Sequence, residues 1–323
     1  MTKSHSVDIL NSGFVIKTAK TSEFNEKLHC EIEKIKVLFQ IYPKLIVPIL
    51  HDGSADDRRF YILEKKHGSS LSKIIFDKNH PIKRRRTIVC QALDKIKSAI
   101  EIECSKKNDI FDNVNLRLLE EWKKLSSIHE LFDTPIIFEG RKSFTTGRSI
   151  VEKALQFSKT EKFISIKNAH FNFHFGNIIF DEKKNEFSFI DPDCSMSGVD
   201  PYFGYSRFVF SFWHELANEI QDTVKIIPVE NNILFIIQND DHRNIIQSIT
   251  ELQYISGISR WIDENDYKRF YTLTVLCFLR SIRINGDLKE WKAPQYPRTA
   301  TPSEILFLGL HYYLESLPAN THQ

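Results

Sequence analysis

The chain has 323 residues, 44 lysines and arginines against 42 aspartates and glutamates, and 41% hydrophobic residues. Its formal net charge of +2 gives no electrostatic footprint for a nucleic acid or an anionic membrane surface, and its length supplies core for one large or two modest domains. No apolar run approaches the roughly 18 residues that would span a bilayer, the start MTKSHSVDIL lacks an apolar signal core, and the scattered Cys30, Cys90, Cys104, Cys194 and Cys277 have no metal or CxxC spacing, so a cytoplasmic protein with reduced thiols is expected.

Val7 to Leu10 and Phe14 to Ala19 are apolar runs separated by Asn11-Ser12-Gly13, which predicts a hairpin at the front of the molecule. Lys17 lies inside the second strand. A helix follows, with Glu26, Leu28, Glu31, Ile32, Ile35, Leu38 and Phe39 at helical spacing, Ser22 as N-cap and Pro43 beyond its end. Ile46 to Leu50 and Phe60 to Leu63 read as two more strands, the second running into Glu64-Lys65-Lys66-His67-Gly68. The basic run Lys83 to Arg86 reads as the solvated start of a helix.

From Pro81 to about Lys167 three amphipathic stripes predict helices. The stretch Phe132 to Ser149 between the last two has Pro, Gly and Thr signals and no period, and reads as a loop that shapes a substrate site or simply connects. Next comes HFNFHFGNIIFDEKKNEFSFIDPD, His170 to Asp193. Its apolar run, polar tip and alternating run predict a hairpin. With the tip centred near Lys184, Asn177 and Asp191 stand seven residues away on either side and meet at the open end, where an amide oxygen and a carboxylate suit Mg²⁺. Beyond it a hairpin near Glu230-Asn231-Asn232 and three helices predict a remainder that is helical in outline.

The spacing His170-x-Asn172-x4-Asn177, then a hairpin, then Asp191 resembles the catalytic loop and metal-binding segment of kinases. In detail, HFGNIIF followed by FSFIDPD is similar to the aminoglycoside and choline phosphotransferase family. That resemblance implies an α+β, bilobal protein-kinase-like fold, with a small β-rich N-lobe over residues 1–67 and a large, mainly helical C-lobe over 68–323. It implies ATP and Mg²⁺ as cofactors, Lys17 at the nucleotide phosphates with Glu31 as its ion-pair partner (Glu33 and Glu26 are alternatives), Asn177 and Asp191 at the metal, and a hinge at Glu64 to Lys66. The resemblance also implies that Ser4-His5-Ser6 replaces the usual glycine-rich loop, since a full first strand is not expected before Val7.

Two positions depart from the family pattern. Asn172 stands where an Asp would accept the acceptor's proton, and Gly204-Tyr205, after Asp200-Pro201-Tyr202, occupies the place of an Asp that anchors the catalytic loop. An amide cannot take a proton at neutral pH but can orient a hydroxyl, which leaves His174 or Asp193 to receive the proton. The expected function is phosphorylation of a small-molecule hydroxyl acceptor, a sugar or amino alcohol. A pseudokinase-like nucleotide-binding or scaffold protein is the alternative, and a nucleotidyl transferase on the same fold a third.

Overall fold

The computed structural model describes residues 4–104, 113–138, 141–142, 145–166, 170, 172–192, 200–254, 261–262, 264–288 and 290–315. Strands β1 (His5–Ile9) and β2 (Phe14–Ala19) form the predicted hairpin, with Val7 opposite Lys17. Gly13 takes the positive φ of +85° that this tight connection requires. Helix α1 (Asn25–Ile41) then buries Leu28, Glu31, Ile32, Ile35 and Leu38 along one face. Ser22 does not cap it. A 3₁₀ turn over Ser22–Phe24 leads into α1, which starts without a side-chain cap.

Strands β3 (Ile49–Ala55) and β4 (Arg58–Glu64) complete a four-stranded antiparallel sheet in the order β1-β2-β4-β3. The lysine strand is thus interior and only β1 stands beyond it. Gly68 follows with φ +108°, and a Cβ there would lie 2.1 Å from the Phe180 carbonyl oxygen, so only glycine passes. A two-residue strand β5 (Ser69–Ser70) intervenes before α2 (Leu71–Phe76), whose first turn is capped by Ser70 Oγ accepting the Lys73 amide at 3.5 Å.

The larger part is built on α3 (Ile82–Cys104), α4 (Val114–Lys124), α5 (His129–Asp133) and α6 (Gly147–Thr160). To these it adds α7 (Tyr202–Glu219), α8 (Asp240–Tyr254), α9 (Tyr267–Asn285) and α10 (Pro302–Glu315). Every residue of α9 from Phe270 to Leu279 is buried, as expected of a helix surrounded by its neighbours. The outline is not purely helical, however. Strands β6 (Ile136–Phe138) and β7 (Arg141–Lys142), from the stretch read as a loop, join β10 (Val224–Val229), β11 (Asn232–Ile237) and β12 (Arg298–Thr299) in a five-stranded sheet ordered β12-β10-β11-β6-β7.

The basic run also differs from its reading as solvated. Arg85 is buried, donates to the carbonyls of Ile75 and His80 at 2.9 and 2.8 Å, and pairs with Asp241 at 2.9 Å. Cys30 and Cys277 are free thiols, while Cys104's side chain and Cys194 lie outside the described residues. Among the described residues no helix is long and apolar enough to cross a membrane.

Candidate functional site

Strand β2 and helix α1 face each other through an ion pair. Lys17 Nζ lies 2.7 Å from Glu31 Oε1, and Glu31, only 3% exposed, also accepts the Tyr61 hydroxyl from β4 at 2.6 Å. The same ammonium reaches across to Asp191 Oδ1, which is 174 residues away in sequence. One cation thus joins the front sheet, its helix and the segment after the second hairpin.

That hairpin is β8 (Ile178–Asp181) and β9 (Glu186–Phe189), with Ile178 opposite Phe189 and Asp181 opposite Glu186. The tip is therefore centred between Lys183 and Lys184 rather than on Lys184. Asp181 Oδ1 accepts the Lys183 and Lys184 amides, and Asn185 at φ +54° closes a four-residue turn, which an even count of loop residues requires. In consequence Asn177 faces Ile190, whose amide donates to its carbonyl at 3.0 Å, and Asp191 sits one residue beyond. Asp191 has φ +53°, in the left-handed region that non-glycine residues rarely adopt, and its side chain is 47% exposed.

The loop before the hairpin is pinned by side chains. Asn172 Nδ2 donates to the Asp191 carbonyl at 3.0 Å, Asn177 Nδ2 donates to the Asn172 carbonyl at 3.3 Å, and Arg207 of α7 donates to Asn172 Oδ1 at 3.0 Å. Ser211, one turn further along α7, accepts the Phe175 amide at 3.1 Å. Arg207 and Ser211 thus tether the loop to α7. At Gly204 a Cβ would lie 2.8 Å from the Phe173 ring, so the missing side chain lets α7 pack directly on the loop. Sequence reasoning passed over both tethers. The available signal was an arginine inside the apolar run YFGYSRFVFSFW.

No family profile and no curated protein matches the chain. Among solved structures it superposes on the GDP complex of wild-type aminoglycoside 2'-phosphotransferase-IIIa with a TM-score of 0.53 at 10% identity, covering 98% of this chain and 90% of that one. The GDP and kanamycin complex of APH(2")-IIia superposes over the same shares with a TM-score of 0.51, also at 10% identity. The fold is α+β, bilobal and protein-kinase-like. Lys17, Glu31 and Asp191 meet where the front sheet and its helix approach the segment after the second hairpin.

The charges of these three residues are coupled. Burial pulls the Lys17 pKa down, but Glu31 and Asp191 more than reverse it and hold the ammonium above its ordinary range. For Asp191 burial pushes upward and Lys17 wins, leaving its carboxyl below the usual range, whereas for Glu31 burial outweighs Lys17 and the pKa is raised. His5, at the start of β1, is held at about 4, by burial and then by Lys17 and Lys27. Ser4 Oγ accepts from Lys27 at 3.3 Å and lies 3.3 Å from His5 Nδ1, while Ser6 sits opposite Thr18.

The remaining expected residues lie elsewhere. Glu64 ends β4 and Lys66 follows it, 3.4 Å apart and largely outside the core, and Asp193 lies outside the described residues. His174, the other residue expected to receive the proton, lies against Glu215. Its Nδ1 already accepts the Gly176 amide at 3.1 Å, so the proton sits on Nε2, 3.2 Å from Glu215 Oε1.

His170 is fully enclosed, donates from Nε2 to the Ile190 carbonyl at 3.0 Å and stacks on Phe173. Burial lowers its pKa to about 4. Since the folded value lies below the unfolded ~6.5, its contribution to stability is fully present above ~6.5 and disappears as the pH falls toward 4, a loss of about 3 kcal/mol. Acid melts should show that decline together with a His170 ring resonance titrating near 4; titration near 6.5 would contradict the burial argument.

Proposed function

We propose that the chain is an ATP- and Mg²⁺-dependent phosphotransferase acting on a hydroxyl of a small molecule, a sugar or an amino alcohol. The observation that carries this reading is Lys17 held between Glu31 and Asp191, because phosphoryl transfer asks a protein mainly to position reactants and neutralise charge. Residues 1–67 and 68–323 act as the two lobes, the Gly68 passage as their joint, and the backbone at Glu64 to Lys66 as the hinge. Ser4, His5 and Ser6 border the phosphates in place of a glycine-rich loop.

The donor set fits a hard cation. Asp191 keeps its charge at neutral pH and is half exposed. Asn177 spends its Nδ2 on the Asn172 carbonyl, which leaves Oδ1 without a donor among the described residues. These two would hold Mg²⁺, which supplies neutralisation of phosphate charge when bound. Asp191→Asn is therefore expected to weaken Mg²⁺-dependent ATP binding about tenfold or more, and Asn177→Ala less, because only the carboxylate carries a full charge. Thermal shifts with ATP or GTP, with and without Mg²⁺, measure this. Equal and negligible effects of both changes would remove the metal site.

Asn172, fixed between Arg207 and the Asp191 carbonyl, orients the acceptor hydroxyl rather than taking its proton. Removing one neutral hydrogen bond costs about 1 kcal/mol, so Asn172→Ala should lower kcat by roughly five- to tenfold with little change in nucleotide affinity. The second reading, a pseudokinase, is favoured by the same contact, since Arg207 already occupies the oxygen that would face an acceptor. Product analysis on a panel of sugars and amino alcohols separates the two. The absence of transfer from the native chain, despite Mg²⁺-dependent ATP binding, would decide for the scaffold.

A further inference from the structure

A second polar cluster lies where α7 meets the catalytic loop. His174, His214 and Glu215 each bring one ligand atom within 4.8 Å of the others. Glu215 Oε1 is 3.2 Å from His174 Nε2, and the two imidazole rings are 5.5 Å apart at 67°. A simple His–Glu hydrogen bond accounts for only part of this. His214 Nδ1 is buried with no hydrogen-bond partner among the described residues. Buried polar atoms without partners are uncommon and call for an explanation.

We propose that His174, His214 and Glu215 form a binding site for a divalent transition-metal ion of the zinc class, separate from the nucleotide's magnesium. Two imidazoles and a carboxylate are a nitrogen-rich set that zinc accepts and magnesium does not favour. Ligand atoms around tetrahedral zinc stand about 3.3 Å apart, so modest side-chain rotation closes the cluster. The fourth position stays open to water.

Occupancy has a consequence for the loop. Metal on His174 Nε2 moves the ring proton to Nδ1, where it meets the Gly176 N–H, at present a donor to that nitrogen at 3.1 Å. Two donors cannot face each other at that distance. The turn Phe175–Asn177 must shift, and with it Asn177. The site therefore acts as a regulatory lock on the catalytic loop, and metal uptake itself does not depend on the phosphotransferase reading.

The full-length protein, stripped with chelator and exchanged into Zn²⁺ or Co²⁺, tests this. Expected are one bound equivalent after desalting, a Co²⁺ derivative with the visible absorption of a low-coordinate nitrogen and oxygen site, and movement of the Gly176 amide resonance on Zn²⁺ titration of glycine-labelled protein. Losing a group that merely orients a ligand costs about 10–100-fold in affinity, so His214→Ala, which removes a ligand, should cost at least that much. Should His214→Ala fail to fold, the near-isosteric Glu215→Gln decides. Absence of stoichiometric uptake, or uptake unchanged in the folded variants, overturns the site.

Discussion

Replacing Arg269 by methionine is expected to destabilise the protein by about 3–5 kcal/mol, because it strands a buried carboxylate. Asp200 is 0% exposed, and its Oδ2 accepts from Arg269 Nη2 at 2.6 Å and Nε at 3.0 Å, and from the Ile164 amide at 3.0 Å. Its Oδ1 accepts the Tyr202 amide at the start of α7. Burial already raises the Asp200 pKa despite Arg269, so without the guanidinium the carboxyl must either take a proton or remain charged in a dry site. For a chain of this length the loss corresponds to a fall in Tm of roughly 4–8 °C. Asp200→Asn combined with Arg269→Met should lose less than Arg269→Met alone, since the stranded charge is gone. A single Arg269→Met variant within about 1 kcal/mol of the native protein would show that this pair is not the anchor it is argued to be. The pair also bears on the loop before the second hairpin, because it fixes the helix that carries Gly204, Arg207 and Ser211.

Where the determinants are local, the sequence is a good guide. The front hairpin follows from two apolar runs around Asn11-Ser12-Gly13, and α1 from its apolar stripe. The Lys17–Glu31 pair came instead from the family resemblance, since helical spacing alone left Glu33 and Glu26 open, and Glu31 is the glutamate found at 2.7 Å. The second hairpin was legible as an element but not to the residue. An odd-membered tip and a four-residue turn place Asp191 differently by one position, and only the turn's own hydrogen bonds decide between them. Of the five-stranded sheet only the β10–β11 hairpin around Glu230-Asn231-Asn232 was legible; its assembly was not, because β6 pairs in parallel with β11, Ile136 opposite Ile233. Short segments so far apart carry no mutual signal in one sequence. Arg85 illustrates the same limit: its run is basic, but the carbonyls and Asp241 that justify burying it come from other elements. Arg207 and Ser211 escaped notice because their role depends on where α7 lands, not on their neighbours in the chain.

Lys17→Met is expected to lower phosphoryl transfer by about 10²–10³-fold, the range seen when a preorganised group that stabilises transition-state charge is removed. In the free protein the ammonium bridges Glu31 and Asp191, and in the reaction proposed here it turns from Asp191 to the phosphates while Glu31 keeps it aimed. Taking it away does two things that must be separated. It removes charge from the reacting centre, and it leaves Glu31 buried beside Asp191 with the Tyr61 hydroxyl as a donor but no cation, which costs stability in the same way as at Asp200. The double variant Lys17→Met/Glu31→Gln resolves them, because a neutral amide in place of Glu31 relieves the stranded charge without returning a cation to the cleft. Its melting temperature should recover toward the native value while transfer stays low. If the native chain transfers nothing, Mg²⁺-dependent ATP binding takes the place of transfer as the readout, with the same ordering of variants. A double variant that turns over as fast as the native chain would sink the assignment of Lys17 to the phosphates and leave it a structural cation that holds the two lobes together.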